Sequence, residues 1–215
     1  MRSQPFRSLL LAVVPLAALA TGCTYSIHAR EPVFGTPAAD KLPVQAAIII
    51  SDEASRTKVP VQNFWVGIVH RWELQTGEGL EVYSRAYFDR LFRFARVVRD
   101  RTHVMGDAAY GILIEPQLYD VEVSQDFVTT LALRCSIKDR NDRVLYDATF
   151  EGRTRDSGAF TKACLGGVFT GQSAFEDSFS AALDDAFGQL TRDLTSPANR
   201  QKLLPAVRSA GTGTQ

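Results

Sequence analysis

The sequence is poor in the residues from which reactive centres are usually built. It has 3 histidines and 3 cysteines among 215 residues. His28, His70 and His103 are scattered, and no H-x-x-x-H or C-x-x-C spacing lets one element present a metal with two ligands. No G-x-S-x-G elbow lifts a serine onto a strand-to-helix turn, and no glycine-rich loop ends in Lys-Ser or Lys-Thr to hold phosphates. The glycine-rich stretch 165–171 lacks that lysine and reads as a flexible crossing or bulge. The carboxylates Asp184 and Asp185, or Glu115, Asp120 and Glu122, show neither the convergence nor the separated pKa values that acid–base catalysis needs. No catalytic residue, metal ligand or cofactor is expected, and the chain reads as non-enzymatic.

An excess of charge is missing too. Basic and acidic residues number 24 each, so nothing points to nucleic acid or to broad attraction by an anionic surface. The apolar run near the start, residues 9–20, has 12 residues and contains Pro15, whereas a membrane-crossing helix needs roughly 20 apolar residues. Arg2 and Arg7 precede that run and small residues follow it. This order of charge, apolar core and small-residue exit predicts a secretory signal over residues 1–22. Its removal takes Arg2 and Arg7 and leaves 193 residues with 22 basic and 24 acidic side chains, enough for one domain with a sizeable core.

Ala20-Thr21-Gly22-Cys23 resembles the lipobox of bacterial lipoproteins, with Ala20 where those families usually carry Leu. The resemblance implies lipid on Cys23 as the membrane anchor, held at about 0.8 kcal/mol per buried CH₂. Thr24 rather than Asp after the cysteine implies, on the same ground, the outer membrane with the domain on its periplasmic side. Cys135 and Cys164 then remain as an even pair in an oxidising compartment. A disulfide across roughly 30 residues would contribute about 3–4 kcal/mol in the chain-entropy model. The other reading makes Cys135 a small core residue on the apolar face of its strand.

Residues 23–43 contain three prolines and no sustained period, and read as a lipid-anchored flexible tether. Residues 44–50 (VQAAIII) form a short apolar run that fits a buried strand, and the aromatic, β-branched stretch 63–74 fits a second. Over residues 78–92, Leu80, Tyr83, Tyr87 and Leu91 make one stripe and Glu81, Arg85, Asp89 and Arg93 another, which predicts an amphipathic helix. It feeds a strand over 94–98. Residues 108–114 are strand-like, ended or bulged by Pro116, which suggests an edge or a bend, and Tyr119, Val121 and Val123 continue the alternation. Leu131, Leu133, Cys135 and Ile137 alternate with polar neighbours, and after the turn 140–143 so do Val144, Tyr146, Ala148 and Phe150, which predicts a hairpin. Ser173 with Glu176 reads as a capping box for a helix over 174–194 with a wide apolar stripe. Pro197 is expected to stop that helix, leaving 195–215 a disordered tail. These elements predict an α+β domain over 44–194: a single mostly antiparallel sheet with two amphipathic helices packed on one face.

Phe64, Trp65, His70 and Trp72 form the densest aromatic cluster. It is either core beneath the first helix or an exposed surface for a partner or ligand.

Residues 91–98 (LFRFARVV), 107–114 (DAAYGILI) and the turn and strand 141–147 follow an order that resembles the small α/β lipoproteins of the bacterial envelope. These include auxiliary lipoproteins of lipid transporters, activators of peptidoglycan synthases and uncharacterised outer-membrane lipoproteins. The resemblance implies a non-enzymatic accessory protein that binds other envelope components, an envelope protein among them, in transport or assembly. The alternative expectation is a lipid- or glycan-binding lipoprotein that uses the aromatic surface.

Overall fold

The computed structural model describes residues 24–35, 40–61, 71–105, 107, 109–124, 126–154 and 168–211, apart from the side chains of 105, 168–170 and 205–211. The apolar run 44–50 lies in strand β2 (Leu42–Ile49). Val44, Ala46 and Ile48 enter the main core, while Ala47 enters a second cluster with Val104, Tyr110 and Leu113 on the opposite face. A strand covered on both faces belongs inside a sheet, with a neighbour at each edge. Those neighbours are β5 (Phe92–Val98) and β6 (Ile112–Val123), both parallel to β2. Beyond β6 come β7 (Thr129–Asp139) and β8 (Val144–Arg153), both antiparallel, giving the order β5-β2-β6-β7-β8.

A second, smaller sheet joins β1 (Thr24–Ile27), β4 (Arg71–Leu74) and β3 (Val59–Val61) in the order β1-β4-β3. β1 runs parallel to β4, and β3 antiparallel to it. The expectation of a single mostly antiparallel sheet is therefore corrected: the fold is α+β with two mixed sheets of three and five strands. The alternating pattern of 128–150 reported only the hairpin half of the large sheet. The parallel half depends on long crossovers, which pass through α1 (Asp52–Ser55), β3, β4 and α2 (Thr76–Leu91) on one side and α3 (Thr102–Met105) on the other.

Five helices are described, rather than two on one face. α2 and α4 (Val168–Leu194) lie side by side in the same direction over the main core. The Tyr83 hydroxyl donates to the Ser180 carbonyl at 3.1 Å, and farther along the pair Tyr87 donates to Asp184 at 3.0 Å. Phe175, Phe179 and Phe187 of α4 are wholly buried, each worth about 1.5–3 kcal/mol of apolar burial. A Cβ on Gly152 would stand 2.1 Å from the Ala182 carbonyl oxygen, so only glycine lets α4 press this closely on β8. α3 covers the other face, where Val104 packs with Ala47.

Three boundaries differ from the sequence reading. Much of the expected tether is not loose: β1 is a paired strand, and the chain after it lies along the helices. His28 pairs with Glu78, Arg30 with Asp177, and Phe34 packs edge-on against Tyr87 under the Arg90 guanidinium. Opposed charges and aromatic contacts that are distant in sequence hold this strap down. Ser173 is not a cap, because α4 begins at Val168; Glu176 instead accepts from Gln172 at 2.9 Å. Pro197 does not end the fold but opens α5 (Pro197–Gly211). The first helical position suits proline, whose missing N–H would have no partner there, and α5 buries Leu203 in the main core.

Candidate functional site

β2 ends at Ile49, yet β6 continues to Val123. β2 pairs with β6 only at residues 112–114. From residue 115 onward the β2-facing edge of β6 has no strand paired to it among the described residues. Pro116, read as the mark of an edge or a bend, sits inside β6 opposite Cys135 of β7. It falls just past the last β2 partner, where the strand is locally an edge and a missing N–H is tolerated.

The space beside this edge is a cleft of about 380 Å³ between residues 116–119 and the segment that leads from β2 into α1 and α2. Its far wall is fixed by local chemistry. The Ser51 side chain accepts from the Ala54 N–H at 3.1 Å and caps α1. The Gly77 N–H and the Thr76 hydroxyl both donate to the Thr57 carbonyl at 3.0 Å. A Cβ on Gly77 would meet the Ala54 carbonyl oxygen at 2.2 Å, so glycine is what lets α1 touch α2. On the near wall the ladder to β7 shifts register between Tyr119 and Glu122, where Asp120 is left-handed at φ 52°. The Tyr119 hydroxyl donates to Thr149 Oγ1 at 3.1 Å.

The cleft combines alkyl surface from Leu80, Pro116 and Leu118 with an open strand edge and the Glu53 carboxylate. Among the described residues no histidine or lysine lines it. Such a surface can recognise an extended chain through backbone hydrogen bonds. Among the described residues no group of three His, Cys, Asp or Glu side chains could hold a metal ion.

Among the described residues, the perturbed ionisable groups lie outside the cleft. Burial, reinforced by Asp184, pushes the Tyr83 and Tyr87 phenols well above their usual range. Desolvation raises the Asp184 carboxyl against the lowering effect of the tyrosine hydrogen bonds. Burial likewise raises the Cys135 thiol. At the joint between α4 and the large sheet, Ser178 Oγ donates to the Phe127 carbonyl at 2.5 Å and accepts from the Thr129 N–H at 3.1 Å. The Thr154 hydroxyl donates to the Ser178 carbonyl at 2.6 Å. Phe127 is left-handed at φ 60°, an uncommon state for a bulky residue, and this node holds its carbonyl.

Of the residues singled out in the sequence, Cys23, Phe64, Trp65, His70 and Cys164 lie outside the described residues, and the Cys135–Cys164 pairing with them. Cys135 is wholly buried on β7. Trp72 is 3% exposed; its ring stacks on Tyr25 at 4.9 Å between centroids and leans on Phe175 at 5.6 Å. Of the two readings, Trp72 takes the core one and not the partner or ligand surface, because the pairing of β1 with β4 and the N-terminal turns of α4 close over it. Sequence reasoning read an edge or a bend at Pro116 but not the cleft beside residues 116–119. The available signal was Pro116 within an otherwise strand-like run.

No family model matches the chain, and no curated protein does either. Among solved structures, a Helicobacter pylori protein described as a neuraminyllactose-binding hemagglutinin homologue is 8% identical, covering 86% of this chain and all of its own, at a TM-score of 0.50. A Xanthomonas campestris protein described as DUF330 is 14% identical over 87% of this chain and 99% of its own, at 0.49. The PelC dodecamer of Paraburkholderia phytofirmans is 9% identical over 68% and 92%, at 0.39. All three are bacterial. The first likeness is one of fold alone, and the other two are too loose to define one.

Proposed function

We propose that this is a lipid-anchored accessory protein on the periplasmic side of the bacterial outer membrane, which binds other envelope components in transport or assembly and performs no chemistry of its own. The signal-like residues 1–22 and the lipobox-like Ala20-Thr21-Gly22-Cys23 support the anchor. The observation that carries the binding role is the β6 edge, unpaired among the described residues, over a cleft whose described lining has one carboxylate and no histidine or lysine. That arrangement suits an extended segment of a partner protein. The Helicobacter protein with a similar fold is itself described by a binding activity.

Two measurements test the reading. Cys23→Ala should abolish incorporation of labelled fatty acid and release the protein from membranes; unchanged labelling would overturn the anchor. A photo-crosslinking residue at Gln117, exposed in the cleft, should give discrete protein adducts in intact cells that the same residue at Arg93, exposed on β5, does not. Identical adducts from both positions would count against the cleft.

A further inference from the structure

We propose that the protein stands on the bilayer by the end of its small sheet that carries Thr24, Val61 and Arg71, with α4 leading away from the membrane. This rests on the lipid anchor at Cys23 and adds what the anchor alone leaves open, the posture of the domain.

The argument begins with chain length. Consecutive Cα atoms stand about 3.8 Å apart, and β1 starts at Thr24, so the residue bearing lipid adjoins the fold directly. β1 is also fixed in place. It pairs residue by residue with β4 from Thr24↔Arg71 to Ile27↔Leu74. Ile27 is wholly buried, Ser26 Oγ accepts from Gln75 Nε2 at 3.0 Å, and the Arg30 N–H donates to Ser180 Oγ at 2.8 Å. No slack separates lipid from domain, so acyl chains in the bilayer draw this end of the sheet to the headgroups.

Topology identifies what else arrives there. β1 and β4 are parallel, which sets exposed Thr24 beside exposed Arg71. β3 is antiparallel to β4, and its last residue Val61 pairs with Trp72 at the same end. Arg71 makes no ion pair among the described residues, and a guanidinium at this height suits phosphate oxygens. α4 follows the direction of β1, since Ser26 meets Gln172 and Arg30 meets Ser180. Its 27 residues rise about 1.5 Å each, which carries Leu194 roughly 40 Å from the membrane end. Tyr146 donates to Asp193 at 2.7 Å, so the turn between β7 and β8 belongs to the distal end. The cleft, lined by Gly77 and Leu80 beside the Gly79–Phe179 contact, lies roughly 16 Å along α4 from its first residue.

The test uses the lipidated full chain in vesicles of phosphatidylethanolamine and phosphatidylglycerol. Nitroxide labels are placed at Arg71→Cys or Asn141→Cys in a Cys164→Ser background. The Arg71 label should be reached by the bilayer-dissolved relaxant oxygen several-fold more than the Asn141 label, which should respond to an aqueous nickel chelate. Flotation with both labels equally in water would overturn the posture and leave the anchor standing; failure to float would remove the anchor and the posture with it. A flexible Gly/Ser spacer between Cys23 and Thr24 should keep flotation and return the Arg71 label to water. A label that stayed at the bilayer would overturn the role of the short link. Hydrogen exchange of the wild-type protein gives a label-free reading: amides of β1 and β4 should slow on vesicles relative to Cys23→Ala in solution, and unchanged exchange would count against the posture.

Discussion

The strands of the large sheet run from seven to twelve residues, those of the small sheet only three or four. Length decides how each holds together. β6, β7 and β8 pair over many successive residues and bury a continuous apolar face under α4. The small sheet has few ladder bonds, and a sheet of that size is marginal unless something packs on it. Here that something is Trp72, wedged between Tyr25 and Phe175. The large sheet is therefore the self-supporting body of the protein. The small sheet is an attachment held by Trp72, Ile27 and Leu74 in the main core and by the N-terminal turns of α4.

The strongest way to break this contrast is Phe187→Ala. Phe187 is wholly buried against Tyr83, Tyr87 and Phe88, and its loss should cost about 3–5 kcal/mol of global stability, read as a fall in the denaturant midpoint. Trp72→Ala removes a larger side chain, but its effect should concentrate in the small sheet. Hydrogen exchange should show β1, β3 and β4 losing protection while β6 to β8 keep theirs, with a shift in global midpoint below that of Phe187→Ala. Equal loss of protection in both sheets would show that they fold as one unit.

Ser178→Ala probes the joint between the two regions. It strips partners from the Thr129 N–H, the Phe127 carbonyl and the Thr154 hydroxyl within the core, which should cost about 1–3 kcal/mol in denaturant unfolding. The smallest effect belongs to Asp184→Asn. The Asp184 carboxyl is raised in the fold by desolvation, so its ionised form opposes folding, and stability falls as pH rises from the unfolded value near 3.9 through the folded one. The asparagine variant keeps an acceptor for Tyr87 without that charge. Its stability should decline less over this acidic window, and identical pH profiles would refute the assignment.

Much of the large sheet was legible because its rules are local. Leu131, Leu133, Cys135 and Ile137 alternate in the sequence and are all buried in the structure, since side chains in a strand point alternately to two faces. The stripe on α2 was equally plain: of its four apolar positions, Leu80, Tyr83 and Leu91 are buried and Tyr87 packs at the core's edge. The parallel half was not legible as such. VQAAIII says that a segment is buried, but not which strands flank it.

The small sheet and the candidate site were largely illegible for the same reason. Thr24–Ile27 carries no strand pattern of its own length and becomes one only because Arg71–Leu74 lies beside it. The cleft exists because β2 ends before β6 does, and the relative lengths of two non-adjacent strands are written nowhere in either. By itself the sequence determined the hairpin, the amphipathic helices, the scarcity of reactive side chains and the lipobox-like Cys23, all of which follow from short-range spacing. Only the tertiary structure decided that Cys23 adjoins a fixed strand rather than a tether, that Trp72 is core, that Pro197 opens a helix and that β6 has an edge with no strand paired to it among the described residues. Those outcomes depend on which distant surfaces come together to bury apolar area and satisfy backbone groups.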